Sequence, residues 1–209
     1  MGRQFDIHTL LFAESSCSIL RSWDMRSLTE TKAGSKVSKS FDFSPLDPTC
    51  RLSSKRGRGI VSLVSGTGPT SGCIFALGAD SQIYVYSLPT LESYSTRYGH
   101  PNLQASSSFY LRLSISPCGR WLASGSTGNA FLFDVSSTAL PFSQSSPAVE
   151  LPRHNTTEKV GTPFVDWADG LLATCVDDGT VAVWRPDVEV HRECTQDPEA
   201  QRWHWAWAG

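Results

Sequence analysis

Apolar residues along this chain gather in short runs, each closed by an aromatic residue and interrupted by turns of Gly, Ser, Asn and Asp. Four such segments stand out. Leu10-Leu11-Phe12-Ala13 passes through Ser15-Ser16 to Ile19-Leu20 and Trp23-Asp24. Cys73-Ile74-Phe75-Ala76-Leu77-Gly78 passes through Ala79-Asp80-Ser81 to Ile83-Tyr84-Val85-Tyr86. Trp121-Leu122-Ala123-Ser124-Gly125-Ser126 passes through Thr127-Gly128-Asn129 to Ala130-Phe131-Leu132-Phe133-Asp134. Leu171-Leu172-Ala173-Thr174-Cys175 passes through Asp177-Asp178-Gly179 to Val181-Ala182-Val183-Trp184. Each is a pair of strands joined by a turn.

Ala13, Ala76 and Ala123 precede their closing aromatics by 10 residues and Ala173 by 11, which predicts hairpins of one fixed register. Further strands are expected at 59–64, 109–115 and 163–167, with Ser116-Pro117-Cys118-Gly119-Arg120 as a turn. No stretch has the 3.6-residue apolar period of an amphipathic helix, so little helix is expected. A Trp-Asp pair closing a strand, with related segments at long intervals, is the pattern of a WD-repeat β-propeller blade. The aromatic-to-aromatic steps are 63, 47 and 51 residues. Blades take roughly 40–45, so the excess falls into two connections: a long inter-blade loop at 27–58 and a polar Ser/Pro loop at 136–150. The fold expected is all-β, one WD-repeat propeller over 1–209. At roughly 45 residues per blade it holds about four to five blades, a partial ring.

Histidines at Gly99-His100 and Arg153-His154 precede the third and fourth segments. WD-repeat blades use such a histidine in a buried relay with a strand hydroxyl, a turn aspartate and the closing tryptophan. The fourth segment can supply every member: His154, Thr174, Asp178 and Trp184. These groups satisfy one another in a dry interior, a structural and not a reactive role.

Composition narrows the classes further. With 209 residues, 40% hydrophobic and a net charge of −2, the chain suits a globular domain and offers no global attraction to nucleic acid or anionic membrane. Its 6 cysteines are scattered, form no C-x-x-C pair, and point to a reducing, intracellular setting rather than zinc or a disulfide scaffold. The uncharged stretch 60–79 is broken by Gly66, Gly68, Pro69 and Gly72, so it cannot cross a bilayer as a helix. A soluble protein is expected. Catalysis finds no support: no phosphate-binding Gly-rich loop, metal-ligand spacing or nucleophile motif appears, and no cofactor is expected.

The blocks Ile19–Arg26, Ile74–Leu88, Gly99–Ser126 and Leu171–Arg185 together resemble, in order, the propeller of denticleless-type (Cdt-two) proteins. Those are WD-repeat substrate receptors of cullin 4 RING ubiquitin ligases, and the likeness is to the C-terminal part of their propeller. It covers most of the chain from about residue 10 to 185. Its most specific part is Phe109-Tyr110 entering the Ser114-Ile115-Ser116-Pro117 turn. The resemblance implies that Trp23, Asp24 and Arg26 form a Trp-Asp-x-Arg docking box. In the family this box binds a β-propeller adaptor, the large damaged-DNA-binding protein subunit. Just past the strand end, the planar guanidinium of Arg26 can make bidentate hydrogen bonds into a partner. In other propellers the same arginine is only a solvated rim charge, and Ser22 stands where an apolar residue is expected. The resemblance further implies a nuclear, and also cytoplasmic, non-enzymatic receptor in replication and cell-cycle proteolysis. Its partners would be the adaptor and degron-bearing substrates on the DNA-loaded sliding clamp, with no membrane and no small-molecule substrate. A WD-repeat scaffold unrelated to ubiquitin is the alternative.

Other features carry paired readings. Seven cations against three carboxylates make 27–58 basic. Lys55, Arg56 and Arg58 could meet nucleic acid or an acidic partner, or the stretch could simply be solvated. Trp203, Trp205 and Trp207 share one face of an extended strand, as an added blade strand or a peptide anchor. Ser44, Ser116, Ser146 and Thr162 each precede proline, the minimal signal for proline-directed phosphorylation.

Overall fold

The computed structural model describes residues 9–14, 19–24, 42–43, 59–88, 90–105, 110–136, 144–151, 161–162, 164–168 and 170–185. They form four sheets. The first runs β1 (Thr9–Glu14), β2 (Ile19–Asp24), β3 (Asp42–Phe43). The second is built from β4 (Ile60–Ser65), β5 (Cys73–Gly78), β6 (Gln82–Ser87) and β7 (Ser93–Gly99). The third contains β8 (Leu113–Ile115), β9 (Trp121–Ser124) and β10 (Ala130–Asp134). The second sheet gains a fifth strand, β11 (Gln144–Ser145), which follows β10 in the chain and pairs beside β7. The third sheet then closes with β12 (Val149–Leu151), and the fourth is β13 (Phe164–Ala168), β14 (Leu171–Cys175) and β15 (Val181–Trp184). Consecutive strands within a sheet are antiparallel; β11 alone pairs in parallel. Among the described residues the only helical element is a 3-10 turn at Gly68–Thr70.

The sheets are stacked as propeller blades. Strands β4, β8 and β13, the first of three successive sheets, lie beside one another on the inner side. The alternation of β5 and β6 explains why these strands read as continuous apolar runs. Phe75, Leu77, Ile83 and Val85 face the third sheet and pack with Leu122, Phe131 and Phe133. Ile74, Ala76, Tyr84 and Tyr86 face the other way, toward Leu20 of the first sheet. A strand covered on both faces has no polar side to show. The third sheet repeats this division, with Ala123, Ala130 and Leu132 packed against Val165, Leu172 and Trp184. Burying each large apolar side chain contributes about 1.5–3 kcal/mol. Stacking blades is therefore the main source of stability.

The inner turns also interlock. Thr67 donates to the Ser116 carbonyl at 3.2 Å, and Thr70 donates to the Gly119 carbonyl at 3.2 Å. Gly119 has φ +73°, and a Cβ there would lie 1.9 Å from the Thr67 carbonyl oxygen. Only glycine fits both demands.

Two expectations are revised. The loop at 27–58 contributes β3, and the one at 136–150 contributes β11 and the start of β12. The hairpin register is not fixed by the alanines. The closing aromatics Trp23, Tyr86, Phe133 and Trp184 stand opposite Leu10, Ile74, Leu122 and Leu172. Measured from those partners, Ala13, Ala76, Ala123 and Ala173 sit three, two, one and one residues further on. Turns of different length absorb the difference, so equal sequence spacing conceals unequal pairing.

Candidate functional site

The Trp23-Asp24-Met25-Arg26 motif begins on described backbone and runs past it. In β2, Trp23 pairs with Leu10 and Asp24 with Thr9, while Ser22 faces Asp42 of β3. Asp24 is the last residue of that strand. Met25 and Arg26 lie outside the described residues, as do Lys55, Arg56 and Arg58, His154 and Trp203, Trp205 and Trp207.

Of the proposed relay, the structure joins Trp184 and Thr174. The indole Nε1 donates to the threonine hydroxyl at 2.9 Å, with both residues buried. The register places them so: Trp184 faces Leu172, two residues before Thr174 on the same side of β14. Asp178 serves its own turn, accepting from the Thr180 amide at 2.9 Å and hydroxyl at 2.6 Å. In the third sheet, His100 instead takes a loop position, its ring 5.4 Å from that of Phe131 and its Nδ1 accepting from the Asn102 amide at 3.3 Å.

A second site was not anticipated from sequence. The innermost strands enclose a recess of about 390 Å³ lined by Val61 and Leu63 of β4, Tyr110, Arg112 and Leu113 at β8, and Phe164 of β13. Tyr110 is 71% exposed and Phe164 40%. The Arg112 guanidinium stacks over the Phe164 ring, 5.7 Å from its centre. Because Val165 turns into the core, period-two alternation turns Phe164 out. Ser114 donates to Asp166 at 2.9 Å and Leu113 donates its amide to Ser62 at 3.0 Å, so the recess floor is tied across three sheets. Walls of mixed polarity, two outward aromatics and one cation can hold an extended peptide, with the arginine taking an acidic or carbonyl group. Its residues come from three distant stretches of chain. In the sequence, Tyr110 stands out only as half of the Phe109-Tyr110 pair entering the Ser114-Ile115-Ser116-Pro117 turn.

Cys118 is exposed at the Ser116–Arg120 turn. The Ser116 hydroxyl beside its sulfur lowers the thiol's pKa against an opposing burial effect. Burial raises the Cys73 thiol. No His/Cys/Asp/Glu group suited to a metal occurs among the described residues.

Comparison with known proteins agrees with the resemblance read from the residues. No family model matches the chain. It is 32% identical over 187 residues to the "Denticleless protein homolog" of Gallus gallus, covering 86% of this chain and 23% of that protein. It is 34% identical over 181 residues to the "Cell division cycle protein cdt2" of Schizosaccharomyces pombe, covering 81% of this chain and 32% of that protein. The chain is similar to denticleless-type proteins over most of its own length. The Homo sapiens "Denticleless protein homolog" is 32% identical over 185 residues, covering 86% of this chain and 22% of its own length. The chain thus spans between about a fifth and a third of these relatives. Among solved structures, that of RRP9 WD40 repeats aligns with a TM-score of 0.45 and 19% identity, over 60% of this chain and 35% of that one, too loosely to add to the argument. The WD-repeat reading rests on the blade architecture and on the repeated strand pattern of the sequence.

Proposed function

We propose that this denticleless-type chain belongs to the substrate-recognition subunit of a cullin 4 RING ubiquitin ligase, acting in replication and cell-cycle control within the nucleus. The observation that carries the reading is the sequence Trp23-Asp24-Met25-Arg26, whose first two residues end β2, in a chain similar to denticleless-type proteins over most of its length. The proposed mechanism is positional and needs no catalysis. Trp23 and Asp24 end β2, and Arg26, two residues further along the sequence, docks on the propeller adaptor. The recess at Tyr110, Arg112 and Phe164 presents a degron-bearing peptide, from substrate held on the DNA-loaded clamp, to the ligase. A WD-repeat scaffold without ubiquitin is the second reading, because the same recess suits any extended peptide.

Reconstituted ubiquitination with the full-length protein, adaptor, cullin 4 RING module and clamp-bound substrate tests the proposal. Added protein should accelerate substrate modification at least tenfold, an effect of about 1.4 kcal/mol. Tyr110→Ala combined with Arg112→Ala should reduce substrate capture while leaving adaptor retention intact. Failure of the wild-type protein to be retained by the adaptor supports the scaffold reading instead.

A further inference from the structure

Four hydroxyl residues precede proline, and the fold sorts them. Ser116 is 2% exposed, and its Oγ accepts the Trp121 amide at 2.9 Å. Thr162 is 4% exposed, donates to the Gly128 carbonyl at 2.7 Å, and is bridged through its backbone to Ser126. Both hydroxyls hold turns or join sheets, and a phosphate on either would break what it holds. Ser44 lies outside the described residues. Ser146 differs: it is exposed and directly follows β11.

The setting of Ser146 supplies a receiver for phosphate. Strand β11 lies parallel to the outer edge of the second sheet, pairing Gln144 with Arg97 and Ser145 with Tyr98. Continuing that register, position 146 stands opposite Gly99, on the same face as positions 144 and 97. Two strand residues separate them by about 6.6 Å, a span that an extended arginine side chain covers. Arg97 is exposed, its guanidinium lies 5.2 Å from the centre of the Tyr84 ring, and no carboxylate among the described residues pairs with it. The carboxylate near Tyr84, Asp80, is engaged by the Tyr84 hydroxyl at 2.5 Å and the Gln82 amide at 3.3 Å. An exposed arginine beside the outermost strand, with no carboxylate partner among the described residues, is a ready partner for a phosphate dianion.

We propose that Ser146 is a phosphorylation site of a proline-directed kinase, and that Arg97 holds the phosphoserine and tightens β11 onto the second sheet. In the transfer, Ser146 Oγ bonds to the γ-phosphorus of ATP as the bond to the β-phosphate oxygen breaks. ADP leaves, and the hydroxyl proton passes to the kinase's catalytic base. Two residue pairs hold β11 weakly, so its opening governs access to the β7 edge. Phosphate on Ser146 makes that cover firmer, binding a connection of the third sheet to the second. This switch is independent of the docking box.

The test treats full-length protein with ATP and a cyclin-dependent kinase, then maps phosphate by mass spectrometry and backbone exchange by deuterium uptake. Ser146 should be modified in the native protein while Ser116 and Thr162 remain bare. Exchange over 144–148 should slow roughly tenfold, as a new charge-assisted pair implies. Arg97→Gln should abolish the slowing without preventing phosphorylation, and Arg97→Lys should restore part of it. A synthetic 140–152 peptide checks that the kinase accepts this sequence. Modification of the peptide but not the native protein overturns the site. Slowing that survives in Arg97→Gln, or is absent in the wild type, overturns the role of Arg97.

Discussion

The second and fourth sheets use the same hairpin and differ in what meets its two faces. In β5 and β6 every position from Ile74 to Leu77 and from Ile83 to Tyr86 is buried, split between the neighbouring sheets. In β14 and β15 only Leu172, Thr174, Ala182 and Trp184 are buried, all on the side of the third sheet or its relay; Val183 is half-buried and Val181 is 62% exposed. The closing aromatic differs accordingly. Two residues beyond its cross-strand partner, Trp184 meets the hydroxyl of Thr174, whereas the corresponding place beneath Tyr86 is Ala76. A tryptophan buried in a dry interior brings an N–H that needs an acceptor, so the hydroxyl comes with it. Where the closing residue is Phe133, the matching hydroxyl, Ser124, turns instead to the Gly125 carbonyl at 3.1 Å.

Equivalent valines test this difference most strongly. Val85 and Val183 each precede the closing aromatic, but Val85 is fully buried between sheets. Val85→Ala should cost about 2–4 kcal/mol in equilibrium denaturation, and Val183→Ala less than about 1.5. Equal losses would mean that both faces of the fourth sheet are covered alike. Gly119→Ala, which tests the turn contact between second and third sheets, should cost about 2–4 kcal/mol through left-handed strain and collision with Thr67.

Thr174→Val should destabilise the fourth sheet by about 1–3 kcal/mol by leaving the Trp184 N–H without its acceptor. In the Trp184→Phe background the same change should cost distinctly less, because no N–H remains. A double-mutant cycle measures that coupling; additive costs would remove the relay from the account. The smallest effect concerns Arg120 and Asp134, joined at 3.0 Å on the surface. Burial alone would raise the Asp134 pKa, but hydrogen bonds from Ser136 and Arg120 outweigh it and leave the carboxyl below its ordinary value. A depressed folded-state pKa stabilises above the unfolded carboxylate range and is lost as pH falls through the folded one. Asp134→Asn should therefore cost at most about 1 kcal/mol near neutrality and nothing in strong acid, as denaturation across pH would reveal.

Much of this architecture was legible because double-faced burial writes itself as apolar runs closed by aromatics. Pairing register was not, since Ala13, Ala76, Ala123 and Ala173 keep their distance from the aromatics while turn length shifts their partners. Strand β11 escaped notice because two residues, Gln144 and Ser145, carry no period. The recess at Tyr110, Arg112 and Phe164 escaped because its walls come from three strands far apart in sequence. With Trp23-Asp24-Met25-Arg26 the balance reverses: the full motif was visible in the residues, while β2 ends at Asp24, short of Arg26.

The affinity of the full-length protein for the purified adaptor, wild type against Arg26→Ala, addresses the central claim directly. Loss of an interface arginine should weaken binding by about 2–4 kcal/mol, or about 30- to 1,000-fold in Kd. Tight binding by wild type with an unchanged Kd in Arg26→Ala would contradict docking through this box.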